Sequence, residues 1–313
     1  MTTGGTRWLD GGIGMLDLHF QGESAVIAAY VIDTADGLAL IDCGPSSTLD
    51  ALLNGLTELG LEPERLRHIL LTHIHLDHAG AGGILLQRFP DMRLYVHELG
   101  APHEIDPSKL LASAQRIYGD QMDTLWGPIA PVPTKRMVVL RDGDTLDIGG
   151  RRFDTLYTPG HASHHVAYLD HATRAIFTGD VAGVRIPPAD SVWPPTPPPD
   201  IDPTAWHASI ARLRALDAPV LYLAHFGAVE RVGAHLDQLD AHLDEWVAFV
   251  ERAHAEGLLR DAIVERLQAH AHIDLATQAS DTQTRTRFAM ATPYGMAVDG
   301  ILRYLRKQDE RQH

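Results

Sequence analysis

Apolar and polar positions repeat along this chain with two different periods, and the changes of period divide it. Gly14 to Phe20, Ala25 to Asp33 and Leu38 to Asp42 read as strands broken by glycine and Asp/Gly turns, which predicts an antiparallel meander. Ser46 to Thr48 are placed to cap a helix over Leu49 to Leu59 that stops at Gly60, and a strand follows from Arg67 to Leu71. A Gly-punctuated helix is expected from Ala79 to Phe89, a strand over Arg93 to His97, then helices over Pro107 to Tyr118 and Gln121 to Trp126. The two-residue period returns in Met137 to Leu140, Thr145 to Ile148 and Arg152 to Thr158, read as successive hairpins, and again in Val166 to Leu169 and Ala175 to Thr178. After a helix over Thr204 to Leu216 and a strand over Val220 to Leu223, helix formers dominate Val232 to Ala255, Leu259 to Ala271 and Arg285 to Lys307. Leu236, Leu239, Leu243, Trp246, Val247 and Val250 fall on one apolar face that packs on the strand-rich part. The pattern separates a strand-rich unit over residues 1–230 from a helical extension over 231–313.

Two stretches stand apart from this rhythm. Between Val184 and Pro203 lie eight of the chain's 19 prolines, which excludes helix and central strand and predicts a semi-rigid loop. That loop begins just after Asp180, so Ile186, Val192 and Trp193 are expected to wall a pocket. In the helices over 107–126, by contrast, Leu110, Leu111, Ile117, Tyr118, Leu125 and Trp126 read mainly as core.

Composition narrows the class. A chain of 313 residues with 45% hydrophobic content can bury a large core. The net charge of -15, from 41 acidic against 26 basic side chains, disfavours nucleic acid as a partner, since phosphate binding draws on clustered lysine and arginine. One cysteine, Cys43, permits neither a disulfide framework nor a cysteine-rich zinc module, and without a base at recognisable spacing it reads as a small buried residue. Met1 to Asp10 has no export pattern and no later segment reaches spanning length, so a cytoplasmic protein without membrane contact and with a small-molecule substrate is expected.

The chemistry concentrates in Thr72 to Gly80, where His73, His75, Asp77 and His78 fall within six residues after a strand. Crowding imidazoles and a carboxylate into one turn gives no packing advantage, and burying them unpaired is costly. Mixed nitrogen and oxygen donors suit zinc first, then iron or manganese. The cluster resembles the HxHxDH signature of the metallo-β-lactamase superfamily. The downstream ligands of that signature have counterparts in order: His161 in Thr158-Pro159-Gly160-His161, Asp180 in Thr178-Gly179-Asp180 and His225 in Ala224-His225-Phe226-Gly227.

The resemblance implies a four-layered αββα sandwich of the α+β class, here with its helical C-terminal extension. It implies two metal ions, zinc by preference. His73, His75 and His161 would hold one, Asp77, His78 and His225 the other, with Asp180 and a water or hydroxide as bridges. Asp77 is also placed to carry a proton to the leaving group. The implied activity is hydrolysis of an ester-like bond in a small molecule, lactone or thioester, as in the glyoxalase II-like and lactonase-like members. A mononuclear-iron persulfide dioxygenase-like activity and phosphodiester hydrolysis are the alternatives.

Around this set, Asp42 reads equally as a support for the cluster or as a turn-forming carboxylate, and His164 as a support. His97 and His103 are weaker candidates, and His235, His242, His254, His270 and His272 are expected in solvent. Arg185, Arg285, Arg287 and Lys135 cannot be placed near the pocket mouth from sequence. The helical tail has two open roles, covering the pocket or forming a homodimer seam, and Tyr294 in its Thr292-Gly295 break is the residue to follow.

Overall fold

In the computed structural model, which describes residues 4–277 and 281–312, two sheets carry the metal-ligand candidates at their ends. The first sheet holds β1 (Arg7–Leu9), β2 (Ile13–Asp17), β3 (Ala28–Thr34), β4 (Gly37–Ile41), β5 (Leu66–Leu70), β6 (Arg93–His97) and β7 (Met137–Leu140) in that order. It is antiparallel from β1 to β4 and parallel from β4 to β7. The second holds β8 (Thr145–Ile148), β9 (Arg151–Tyr157), β10 (Val166–Asp170), β11 (Ile176–Gly179), β12 (Leu221–Leu223) and β13 (Gly227–Val229), antiparallel except for the β11–β12 pair. The meander expected over the first strands is present.

Helices α1 (Leu49–Glu58), α2 (Leu76–Ala79), α3 (Gly82–Arg88), α4 (Ala101–Ile105), α5 (Ser108–Tyr118) and α6 (Met122–Leu125) follow the strands of the first sheet. Helix α7 (Pro203–Ala215), started by the Asp202 carboxylate accepting from the Ala205 N–H at 3.1 Å, precedes β12. The extension comprises α8 (Val232–Ala255), α9 (Arg260–Thr277), α10 (Thr282–Ala291) and α11 (Tyr294–Gln312). Trp206, Ile210 and Leu213 of α7 and Leu236, Leu239 and Leu243 of α8 share one core cluster with Leu156, Leu169 and Ile176, so these helices cover the outer face of the second sheet. The architecture is the αββα sandwich with a helical extension.

Between the sheets, Tyr30, Phe177 and Tyr222 pack with ring centroids 5.2 to 5.4 Å apart. The hydroxyl of Tyr30 donates to the Leu223 carbonyl at 2.6 Å and that of Tyr168 to the Leu71 carbonyl at 2.7 Å, so the two buried phenols fasten each sheet to a strand end of the other. Direct backbone bonds from Ala28 N to Ala224 O and from Val166 N to Thr72 O, both 2.8 Å, do the same at the ends that carry His225 and His73.

Several local expectations are corrected. Met137–Leu140 and Thr145–Ile148 do not form a hairpin: β7 pairs parallel to β6, and the chain crosses to the other sheet. The turn between them is captured by β9, with Gly143 N bonded to Thr155 O at 2.9 Å and Tyr157 N to the Asp142 carboxylate at 2.8 Å. The helix expected over Ala79 to Phe89 is split into α2 and α3 because the Ala81 N–H bonds to Gly44 O at 2.9 Å. The Ser46 to Thr48 hydroxyls cap nothing; they donate to the carbonyls of Gly80, Leu125 and Pro45. In the proline-rich loop, Ile186, Val192 and Trp193 turn into the core, Trp193 against Trp246 and Phe288 of the extension. Among the described residues no helix is long and apolar enough to cross a membrane.

Candidate metal centre

Every candidate ligand stands where a strand ends. His73, His75, Asp77 and His78 follow β5, His161 follows β9, Asp180 follows β11, and His225 lies between β12 and β13. Gly179 makes the approach of Asp180 possible: its φ is +49°, and a Cβ there would meet the Thr72 hydroxyl and the His165 ring. All seven side chains converge.

Three groups of ligand atoms lie within 4.8 Å of one another: His73, His75 and His161; His73, His78 and Asp180; Asp77, His78 and His225. In the first nest His75 Nδ1 is 3.0 Å from His73 Nε2 and 2.9 Å from His161 Nε2. In the second, Asp77 Oδ2 is 3.6 Å from His78 Nε2 and 3.4 Å from His225 Nε2. Asp180 serves both, with Oδ2 3.3 Å from His161 Nε2 and Oδ1 3.2 and 3.5 Å from His78 and His225. Metal–ligand bonds of about 2.0–2.1 Å in a tetrahedron put ligand atoms roughly 3.3–3.4 Å apart, so the spacing is that of a coordination shell.

The outward ring nitrogens explain why the inward ones face each other. His161 Nδ1 donates to Pro195 O and His225 Nδ1 to Val26 O, both at 2.7 Å. Asp42 governs the other two rings. Its Oδ2 accepts from His78 Nδ1 at 3.0 Å and from the Thr72 hydroxyl at 2.9 Å, and that hydroxyl in turn accepts from His73 Nδ1 at 3.0 Å. Each of these four rings therefore donates outward through Nδ1 and turns Nε2 inward, where a cation would take the place of any second proton. His78 Nε2, His225 Nε2 and Asp180 Oδ1 are buried without any hydrogen-bond partner. Orphaned buried acceptors of this kind are costly, and a cation among them would satisfy all of them together. The residues fit a metal.

Charge is distributed unevenly between the nests. Burial, reinforced by neighbouring rings, holds His73 well below the usual imidazole range and His75 at about 3. Burial also pulls on His78 and His225, but the Asp180 and Asp77 carboxylates outweigh it and raise both rings. Burial would raise Asp77, yet His78 and His225 bring it down to about 2. With a side chain 24% exposed, against 5% or less for His78, His225 and Asp180, Asp77 faces the open cavity.

The supporting residues sort differently from the sequence reading. Asp42 is a support for the centre. His165 is the stronger of the downstream pair: its Nδ1 bonds the Thr158 hydroxyl at 2.9 Å and its Nε2 accepts the Asp180 N–H at 3.2 Å, fixing the backbone that presents that carboxylate. His164 stacks on His73 at 6.1 Å. His97 lies against Tyr157 outside the ligand set. Cys43 is fully buried as a small packing residue. His235 is buried, not solvated, with Nε2 donating to Ala182 O at 2.7 Å, and His242 donates to Val192 O.

A cavity of about 960 Å³ opens over His75, Asp77, His161 and Asp180. Pro195 to Pro199 of the proline-rich loop form part of its wall, but more comes from residues read as core, Leu110, Ile117, Tyr118, Leu125 and Trp126. Arg116 and Arg260 line it, whereas Arg185, Arg285, Arg287 and Lys135 do not. Tyr294 is buried against Trp193, and its neighbours Pro293, Gly295 and Met296 line the cavity instead. No sequence signal distinguished the arginines, because their position depends on how α9 and α5 pack.

Comparisons with known proteins agree with this geometry. A sequence model described as the Metallo-beta-lactamase superfamily matches residues 25–225. A metallo-beta-lactamase fold-containing protein of Sulfurisphaera tokodaii is 32% identical over 56% of this chain and 67% of its own. The hydroxyacylglutathione hydrolase GloC of Haemophilus influenzae is 31% identical over 49% of this chain and 65% of its own, so the chain spans about two-thirds of these relatives. A metallo-beta-lactamase family protein of Thermus thermophilus superposes with a TM-score of 0.66, covering 95% of this chain and 94% of that one at 23% identity.

Proposed function

The chain belongs to the metallo-β-lactamase superfamily, and from that premise we propose a dinuclear metal-dependent hydrolase that cleaves an ester-like bond in a small molecule, a thioester ahead of a lactone. The observation that carries this reading is the Asp180 carboxylate, which turns one oxygen toward each of two complete donor nests. The second nest, Asp77, His78 and His225, argues for two metals over a mononuclear-iron oxygenase. Thioester cleavage is favoured because a matched relative is named a hydroxyacylglutathione hydrolase.

His73, His75 and His161 would hold one ion, Asp77, His78 and His225 the second, and Asp180 would join them. The mixed nitrogen–oxygen donor set points to zinc, with iron or manganese as substitutes. Bound there, two such cations would supply a hydroxide nucleophile at neutral pH and would polarise the substrate carbonyl. The protein does the rest. Asp42, Thr72, Pro195 and Val26 lock the imidazoles in one tautomer, so little reorganisation accompanies reaction. Asp77, ionised and facing the cavity, is placed to take up the proton that the attacking water releases and to pass it to the departing thiolate or alkoxide.

The test is turnover of a thioester, lactone, β-lactam and phosphodiester panel by metal-loaded protein, with Asp77→Asn and Asp180→Ala beside the wild type. Thioester or lactone turnover that falls by about 10² or more in both variants is expected. A panel silent except for phosphodiesters, or Asp180→Ala at wild-type rate, would overturn the reading.

A further inference from the structure

The cavity above the metal centre is unequal in character from floor to rim. Its floor is polar, formed by His75, Asp77, His161 and Asp180. One wall is aromatic: Trp126 stacks on Phe20 at 5.6 Å and meets Tyr118 edge-on at 5.0 Å, and Ile117, 43% exposed, continues this surface outward. A second part of the lining comes from the junction of α10 and α11, where Met290 and Met296 line the space beside Ala289, Ala291 and Ala297. Away from the floor, the charged side chains of the lining are Arg116, Asp120, Arg260 and Asp299. Arg260 is already held by both Asp299 oxygens at 2.9 and 2.8 Å, and Arg116 and Asp120 are exposed.

We propose that the substrate is a thioester whose acyl portion is long and apolar, laid between the Phe20–Trp126–Tyr118 wall and Met290 and Met296, with its thiol portion directed to the rim. This deepens the hydrolase reading and rests on it. The volume, about 960 Å³, lies at the upper end of the roughly 300–1,000 Å³ typical of small-molecule pockets, far more than an acetyl or lactoyl group would fill. An apolar chain gains from such walls, whereas a charged acyl group would be desolvated between them; of the two lining arginines, Arg260 is taken up by Asp299 and Arg116 is exposed to solvent. Thiols that carry acyl groups are themselves polar, so the acyl end matches the cleft and the thiol end matches the charged rim. Methionine is suited to chains of varying length because its side chain repacks.

The wall is also tied to the chemistry. Pro195, whose carbonyl fixes the His161 ring, begins the proline run, and that run is held to the extension: Thr196 Oγ1 donates to Ala297 O at 3.3 Å, and Arg303 and Lys307 donate to Pro199 O. A chain that fits against Met296 therefore rests on the segment that orients a metal ligand.

The experiment uses the full, zinc-loaded protein and S-acyl thioesters of N-acetylcysteamine from acetyl to decanoyl, with calorimetric binding of the uncleavable thioether S-decyl-N-acetylcysteamine. Each added methylene is expected to raise kcat/KM by roughly two- to fourfold until the cleft is filled, and the S-decyl thioether to bind while the S-ethyl one does not. Met290→Glu should cut the decanoyl-to-acetyl ratio at least about tenfold and Met290→Leu should retain it. Should Met290→Glu fail to fold, the wild-type series and the thioether titration still decide. Equal turnover of acetyl and decanoyl thioesters with no thioether binding would overturn the acyl-cleft assignment and leave the hydrolase standing. Tight thioether binding with no bond in the panel cleaved would support the cleft and overturn the hydrolase reading.

Discussion

Asp42→Asn isolates what the outer hydrogen bonds contribute to the centre. The carboxylate is buried and receives three donors: Thr72 N at 2.8 Å on Oδ1, and the Thr72 hydroxyl at 2.9 Å and His78 Nδ1 at 3.0 Å on Oδ2. Its φ is +55°, a conformation that asparagine tolerates far better than alanine, so the amide changes chemistry with little added backbone strain. If the amide oxygen keeps the Thr72 N–H, the NH₂ group faces His78 Nδ1–H, donor against donor. The ring then relieves the clash by moving its proton to Nε2, the atom that should point at the metal. Loss of a charged hydrogen bond costs about 1.5–3 kcal/mol, and removal of a ligand's orienting partner typically weakens metal binding by 10–100-fold, about 1.4–2.8 kcal/mol. Chelator competition for zinc should show such a loss in at least one of the two binding steps. Wild-type affinity in both steps would refute the claim that Asp42 sets the His78 tautomer.

Other perturbations bear on separate parts of the structure. Gly179→Ala should lower both turnover and metal content by about tenfold or more, since a Cβ at φ +49° meets Thr72 and His165 and displaces Asp180; full metal content in the variant would count against it. Glu104 is buried, and burial pushes its carboxyl up to about 8 from the usual 4.5. The folded state thus holds a proton that the unfolded chain has released, so stability falls as pH rises from about 4.5 to about 8, by at most a few kcal/mol at 1.36 kcal/mol per unit. Urea unfolding across that window should show the slope in the wild type and a flatter profile in Glu104→Gln; identical profiles would contradict it. Stripping metal with a chelator should lower Tm by several degrees, restored by zinc, because the ion binds the folded chain alone; an unchanged Tm would show that the orphaned acceptors are satisfied otherwise.

The convergence of the candidate donors was legible because their spacing is local. His73 to His78 fall in one turn, and each later ligand directly follows a period-two run, so strand ends could be placed from the hydrophobic pattern alone. The relation between elements was not local. Nothing in Met137 to Ile148 distinguishes a hairpin from a crossing between sheets, because the deciding bonds run from Gly143 and Asp142 to Thr155 and Tyr157 on a later strand. The choice between His164 and His165 depended likewise on which ring meets the Asp180 N–H, a contact between the ends of the neighbouring strands β10 and β11. Helix-spaced apolar residues in Ser108–Tyr118 look the same whether they fill a core or line a cavity, and here a good part of them lines one. His235 was misread for a related reason: a polar ring on an amphipathic helix is buried when a carbonyl such as Ala182 O lies opposite it.

The most direct test of the proposed dinuclear centre is metal content by elemental analysis on protein purified without added metal, with His225→Ala measured alongside. About two ions per wild-type chain, falling to about one in the variant, is the predicted result. A single ion per chain that survives loss of His225 unchanged would contradict a centre shared by two metals across Asp180.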